Sequence, residues 1–333
     1  MHRLLTLFTG VTLVALVATP ALAQERRRDR DQRRTETRET QTDRQTRALN
    51  IGAEGELDLS NIAGDIVVTR GSGNAVTLEI VKTARGQDAA AMLPLVTVDI
   101  IERGNRAEVQ TRYPDSDELH RRLNRRNINV DVSFTIVAPA NTRLVLKSIS
   151  GSISVKDIAG SLTLESTSGS VTVANAGRAV TAKSISGDVE ALDTKIDGRL
   201  EAGTISGTVR VRRTSARGLT LSSVSGAVEI EDSSCDRVEA QSVSGDVSFR
   251  GDLEPNGRYE FGSHSGSVKV ALGGKTGFQV QATSFSGSIN SDFPLTLQGN
   301  QGRRQHNVRG VYGNGAAILE LTAFSGSIVI TKR

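Results

Sequence analysis

The chain has 333 residues, a formal net charge of +4, 33 glycines, 3% aromatic residues and no Trp. So little aromatic surface is poor material for the pockets of a globular enzyme, whereas small and β-branched residues with many glycines suit a narrow, repetitive β-structure. Cys235 is the only cysteine, which excludes an internal disulfide framework and a thiolate zinc site.

Residues 1–23 read as a secretory signal peptide. His2 and Arg3 give a polar, basic start, Leu4 to Ala18 an apolar run, Pro20 a break and Ala21-Leu22-Ala23 a cleavage signature, so the mature chain is expected to begin at Gln24. The run is shorter than the ~20 residues that span a bilayer. No later stretch is apolar enough to span as a helix, so the mature chain is expected to carry no transmembrane segment and to reside in the periplasm, at the cell surface or outside the cell. Residues 24–50 hold nine arginines against six acids and almost no apolar side chains. Such a stretch cannot bury enough surface to offset its ordering entropy, and a disordered, charged linker is expected there.

Beyond residue 50 the chain repeats. The glycines of successive Ser-Gly pairs are Gly151, Gly169, Gly187, Gly207, Gly226, Gly245, Gly266, Gly287 and Gly326, at steps of 18, 18, 20, 19, 19, 21, 21 and 39. Two apolar residues lie seven and five positions before each glycine, as in Leu162/Leu164, Leu219/Leu221 and Tyr259/Phe261. Two more lie two and four positions after it, as in Val171/Val173, Val228/Ile230 and Val268/Val270. A spacing of two puts each pair on one face of a strand, and the glycine between them is expected to supply a corner with positive φ. Like residues recur at like phase, and two-residue Asn-Gly or Asp-Gly hairpin turns do not recur between the strands. The fold expected is therefore all-β: a single-chain, β-helix-like parallel β-solenoid with coils of about 18–21 residues occupying 51–333. The same frame appears around Gly64, which places a first coil near 56–69. Residues 70–143 then form a β-rich N-terminal cap insertion covering the solenoid end, and the repeats run over 144–333 with an insertion at 292–315.

Gly55-Glu56-Leu57-Asp58-Leu59 leading to Gly64-Asp65-Ile66-Val67-Val68, then Val137-Ala138-Pro139 before Leu144-Val145-Leu146, then the Ser-x-Ser-Gly ladder form an ordered set over roughly 51–333. This set resembles the putative-adhesin β-strand-repeat family, domain of unknown function 4097. The resemblance implies an exported or envelope-associated β-solenoid with no established enzymatic activity, and it brings no catalytic residues to transfer.

The residues themselves contain no H-E-x-x-H, G-x-S-x-G or phosphate-cradling loop, and His120, His264 and His306 are far apart in the chain. Serines at one structural phase read as a hydrogen-bonded ladder, since a nucleophile needs a base and an orienting partner. No catalytic, metal-binding or cofactor-binding residues are assigned, and no cofactor is expected. The outward slot six before each glycine holds Glu239 and Glu260 on adjacent coils. They are a candidate acidic face, and in a less favoured reading the carboxylates of a polysaccharide-cleaving enzyme. The residue between the two serines runs Ile149, Thr167, Ile185, Ile205, Val224, Val243, His264, Phe285, Phe324. Strict alternation points this column at solvent. The expectation is instead that the corner shifts the phase and buries it, because an exposed apolar stripe of this size promotes association; if exposed, it is the prime partner-binding surface.

Candidate partner-binding residues are therefore His264, Phe285 and Phe324. To these are added Arg121, Arg122, Arg125 and Arg126, near a short helix starting at Ser116 in the cap, and Arg303, Arg304 and Arg309 crowd the late insertion. No aromatic residues interleave with these arginines, so no nucleic-acid partner is expected. The function expected is that of a non-enzymatic, adhesin-like binding module contacting an envelope or surface protein or glycan, with a structural or envelope-stress accessory role as the alternative. The sequence fixes no oligomeric state.

Overall fold

The structure is a computed structural model and describes residues 40–86, 88–123, 127–297 and 306–333. The signal peptide and residues 24–39 of the expected linker lie outside the described residues, as do Arg125, Arg126, Arg303 and Arg304.

Each coil contributes one strand to each of two sheets, of 13 and 14 strands among the described residues. Within the ladder the strands stack parallel and in register. Val171 lies between Ile153 and Val189 in the first sheet, and Leu162 between Leu144 and Val180 in the second. The period-2 pattern dictates what is buried: Leu162, Leu164, Val171 and Val173 are inside and the residues between them face out. The chain is thus a parallel β-solenoid. Near its C-terminal end the core widens to take Phe249, Tyr259 and Phe261, whose ring centroids lie 5.3–6.5 Å apart. The Tyr259 hydroxyl donates to the Cys235 carbonyl (2.9 Å) and accepts from the Glu254 backbone N–H (2.8 Å), so this large polar residue is buried with its hydrogen bonds made.

The corner after the second-sheet strand is where Ser-x-Ser-Gly sits. The first serine of the motif points inward. Its hydroxyl donates to the glycine carbonyl of the preceding coil and accepts the glycine N–H of its own coil. Ser223 bonds Gly207 and Gly226 at 2.9 Å each, and Ser242 bonds Gly226 at 2.8 Å and Gly245 at 2.9 Å. Ser166, Ser184, Ser263 and Ser284 repeat the pattern. In the first coil Asn61 replaces the serine, and its amide donates to the Ala63, Gly64 and Val132 carbonyls.

The glycine's role differs from the expectation. Of this column only Gly64 has positive φ. The others are glycine because coils approach too closely for a side chain: a Cβ on Gly169 would lie 2.0 Å from the Gly151 carbonyl oxygen, and one on Gly226 1.8 Å from that of Gly207. Positive φ belongs to the opposite corner, at Asp157, Asn175, Asp193, Arg213 and Asp232 (φ 47–61°). Asn and Asp tolerate that region better than most side chains.

The cap ends both sheets. Val130–Ala138 runs parallel to Ile66–Arg70 and extends the first sheet; Arg106–Arg112 runs parallel to Glu56–Ala63 and extends the second. Antiparallel strands close each, Thr97–Arg103 on the second sheet, Val76–Arg85 and then Thr40–Leu49 on the first. The last of these corrects the linker, which was expected to run to residue 50. Thr40–Leu49 is an edge strand registered along all of Val76–Arg85, anchored by buried Leu49 and Ile51, with Arg44–Glu79 (3.1 Å) and Lys82–Asp43 (3.6 Å) ion pairs across it. Backbone pairing orders it although its side chains are mostly exposed, and its charges suit an edge that must not recruit another strand.

At the other end, coils do not stack in chain order. The coil of Gly287 is outermost. The chain returns through Asn307–Tyr312, antiparallel to Phe278–Ser284, and then inserts Ala317–Ala323 and Ile328–Lys332 between the coils of Gly266 and Gly287. The order in space is Gly266, Gly326, Gly287. Among the described residues no helix is long and apolar enough to cross a membrane.

Candidate functional site

The outer face of the second sheet carries the outward slots at six, four and two residues before each corner glycine. Alternation continues unbroken to the corner. The inward-pointing serine occupies the slot at minus three, which sends the next residue out. The expected burial of the 149–324 column is therefore overturned: the serine rung leaves no phase shift to bury it. Ile149 is 53% exposed, Ile185 45%, Val224 43% and Phe285 69%, with Ile205, Val243 and Phe324 similar. The result is an apolar ridge along the ladder, one side chain per coil, interrupted at Thr167.

At its C-terminal end the ridge becomes aromatic, and the inverted coil order determines the sequence of rings. Phe324 stands between His264 and Phe285, with centroids 4.6 and 4.8 Å apart and planes 9° and 1° from parallel. The spacing is that of neighbouring strands (~4.8 Å), so the rings stack because the coils do.

Beside the ridge runs a trough. Its floor is the slot at minus four, which changes character along the molecule. It holds Lys147, Glu165 and Lys183 in the first coils, then Gly203, Ser222, Gln241, Gly262 and Thr322. Ridge and floor line two cavities that follow one another along this face. One, of about 810 Å³, reaches from Ile62 to Val224; the other, of about 470 Å³, is lined by Gln241, Val243, Glu260, Gly262, His264 and Phe324 among others.

The opposite wall is the slot at minus six, where Glu239, Glu260 and Glu320 are direct neighbours in register. Glu320 is held by Arg258 (2.8 Å) and, further along, Glu201 by Lys183 (2.7 Å). Glu239 accepts from the Gln241 side chain (3.2 Å), and neither it nor Glu260 forms an ion pair among the described residues. The two sequence-derived groups, Glu239/Glu260 and His264/Phe285/Phe324, are therefore the two walls of one trough. Glu320 escaped sequence reading as their companion because chain order puts its coil one place too far; its signal was its identical slot.

Of the cap arginines, Arg121 and Arg122 lie on the helix Ser116–Leu123, away from this trough. Arg122 pairs with Glu118 (3.0 Å) and Arg121 donates to the Asp117 carbonyl (3.2 Å). The ladder serines Ser166, Ser184, Ser223, Ser242, Ser263 and Ser284 are buried and committed to two hydrogen bonds each. Burial pushes the Cys235 thiol up to about 12, which leaves it protonated and unreactive. Among the described residues no three His, Cys, Asp or Glu side chains are grouped so as to hold a metal. The arrangement offers shape, an apolar wall and an acidic wall.

No curated protein matches the chain. Among solved structures it is similar to a putative adhesin from Bacteroides fragilis NCTC 9343 (14% identity, 86% of this chain and 97% of that one, TM-score 0.44). It is similar also to a putative adhesin from Parabacteroides distasonis ATCC 8503 (10%, 86% and 97%, TM-score 0.41) and to a putative lipid binding protein from the same organism (12%, 86% and 96%, TM-score 0.39). The family model for Toastrack DUF4097 matches residues 56–331, nearly the whole solenoid with its cap. The chain belongs to the Toastrack DUF4097 family.

Proposed function

We propose that this protein is a non-enzymatic binding module of the cell envelope or exterior, docking a partner protein or glycan along the apolar ridge and its trough. The observation that carries the reading is the exposed column from Ile149 to Phe285, one apolar side chain on nearly every coil. A folded chain with a free choice of surface residues places polar ones there; a contiguous apolar line marks an interaction surface. Export follows from the apolar segment and cleavage signature at residues 1–23.

The test is the double substitution Ile185→Asp with Val224→Asp. Both side chains stand on the outer face, so the variant is expected to keep the wild-type circular dichroism spectrum and thermal midpoint. It is expected to lose crosslinks to envelope partners in intact cells and any signal on glycan arrays. Full retention of every such contact, or loss of the fold, contradicts the proposal.

A further inference from the structure

We infer that the C-terminal half of the trough takes an extended peptide segment in which basic and apolar side chains alternate. This rests on the docking reading above and names its partner chemistry. From the coil of Gly207 to that of Gly287 the apolar wall is Ile205, Val224, Val243, His264, Phe324 and Phe285. Six coils at ~4.8 Å make a run of about 24 Å, enough for roughly seven residues of extended chain at ~3.3 Å each. The floor there is Gly203, Ser222, Gln241, Gly262, Thr322 and Thr283, none of them charged.

An extended peptide sends successive side chains to opposite sides. Lying along the solenoid axis over this floor, it presents one set to the ridge and the other to the acid wall. Among the described residues Glu239 and Glu260 stand in neighbouring register with no cation of their own, while Glu201 and Glu320 are already paired. Arg237 and Arg258 lie two residues further from the ridge, on the far side of the acid column. Among the described residues the charge that faces the trough and lacks a partner is negative, so the side chains on that side of the peptide are Lys or Arg.

Other occupants fit less well. An acyl chain has nothing to offer the carboxylates and would strip water from them. A sugar ring stacks flat on an aromatic face, and within the trough the central ring, Phe324, has both faces covered by His264 and Phe285.

The experiment uses the purified chain and three fluorescein-labelled octapeptides: alternating Val-Lys, alternating Val-Glu and alternating Ser-Lys, followed by fluorescence anisotropy. The Val-Lys peptide is expected to bind about tenfold more tightly than either of the others. Glu239→Gln with Glu260→Gln is expected to weaken it about fivefold and flatten its salt dependence, and Phe324→Ser to weaken it with salt dependence intact. Equal affinity for the Val-Lys and Val-Glu peptides, unchanged affinity in the Gln variant, or absence of binding overturns the inference. Should that occur while Ile185→Asp with Val224→Asp still abolishes envelope crosslinking, the ridge remains a docking surface and only the peptide chemistry falls.

Discussion

The two corners of each coil turn the chain through similar changes of direction by opposite physical means. At the serine corner the limit is contact between coils: the glycine is there because the preceding coil's backbone occupies the space a Cβ would need. At the opposite corner the limit is torsion within the coil: one residue takes positive φ, and Asp157, Asn175, Asp193, Arg213 and Asp232 all fill that role. A contact limit admits one residue type. A torsional limit admits any residue able to bear a modest strain, which is why the first column is uniform and the second varied.

Gly226→Ala tests the contact limit most severely. Its Cβ would meet the Gly207 carbonyl at 1.8 Å, and that carbonyl is itself held by the Ser223 hydroxyl, so neither coil can yield alone. A loss of roughly 3 kcal/mol or more is expected in urea denaturation, at or beyond the upper end of ordinary overpacking. Next is Ser223→Ala, which leaves the Gly207 carbonyl and the Gly226 N–H without the hydroxyl that bonds both. About 1–3 kcal/mol is expected for such buried groups. Ala323 shows that the column accommodates a gap in one coil.

At the torsional corner, Asn175→Val is expected to cost about 1–2 kcal/mol, since a β-branched residue resists the left-handed region. Asn175→Gly relieves the same strain while losing the hydrogen bond to Asp157 (2.6 Å), and is expected to change stability by less than about 1 kcal/mol. If Gly at position 175 proved as damaging as Ala at 226, the distinction between the corners would collapse.

The same distinction explains what could be read in the sequence. Inward pairs such as Leu162/Leu164 and Val171/Val173 are legible because burial on a strand has a fixed period of two. The need for Gly169 is legible too, but its cause is not: a positive-φ corner and a backbone contact select the same residue, and only the stacked coils tell them apart. The exposure of Ile185 was hidden because apolar character usually signals burial; here the serine rung had already filled the inward slot. The place of Phe324 between His264 and Phe285 depends on a return of the chain that no local pattern encodes. Thr40–Leu49 is ordered by a backbone partner distant in sequence (Thr40 pairs with Arg85, Leu49 with Val76), which composition cannot report.

The smallest effect expected is one of pH, and it separates the corners once more. In the serine corner Asp246 follows Gly245. The Lys269 ammonium (2.6 Å) and then the Ser267 backbone N–H (2.9 Å) hold its carboxyl below its ordinary value, against burial that pushes it up. In the torsional corner Asp193, exposed, is held down chiefly by its hydrogen bonds to Arg213. A carboxylate lowered in the folded state stabilises it above the unfolded value, near 4, and loses that contribution as pH falls through the folded value. Stability should therefore decline below about pH 4, and Asp246→Asn, which can still accept the Ser267 N–H but gives up the charge facing Lys269, should be somewhat less stable than the parent at pH 7, decline less steeply in acid and converge with it there. Added salt screens the exposed Asp193–Arg213 pair readily, whereas the Ser267 N–H bond to Asp246 is a contact between coils that salt does not dissolve. In high salt the acid limb of Asp193 should therefore fade, while that of Asp246 should shrink only to the part carried by the Ser267 N–H, because salt screens Lys269 and Arg213 alike and leaves the backbone bond in place.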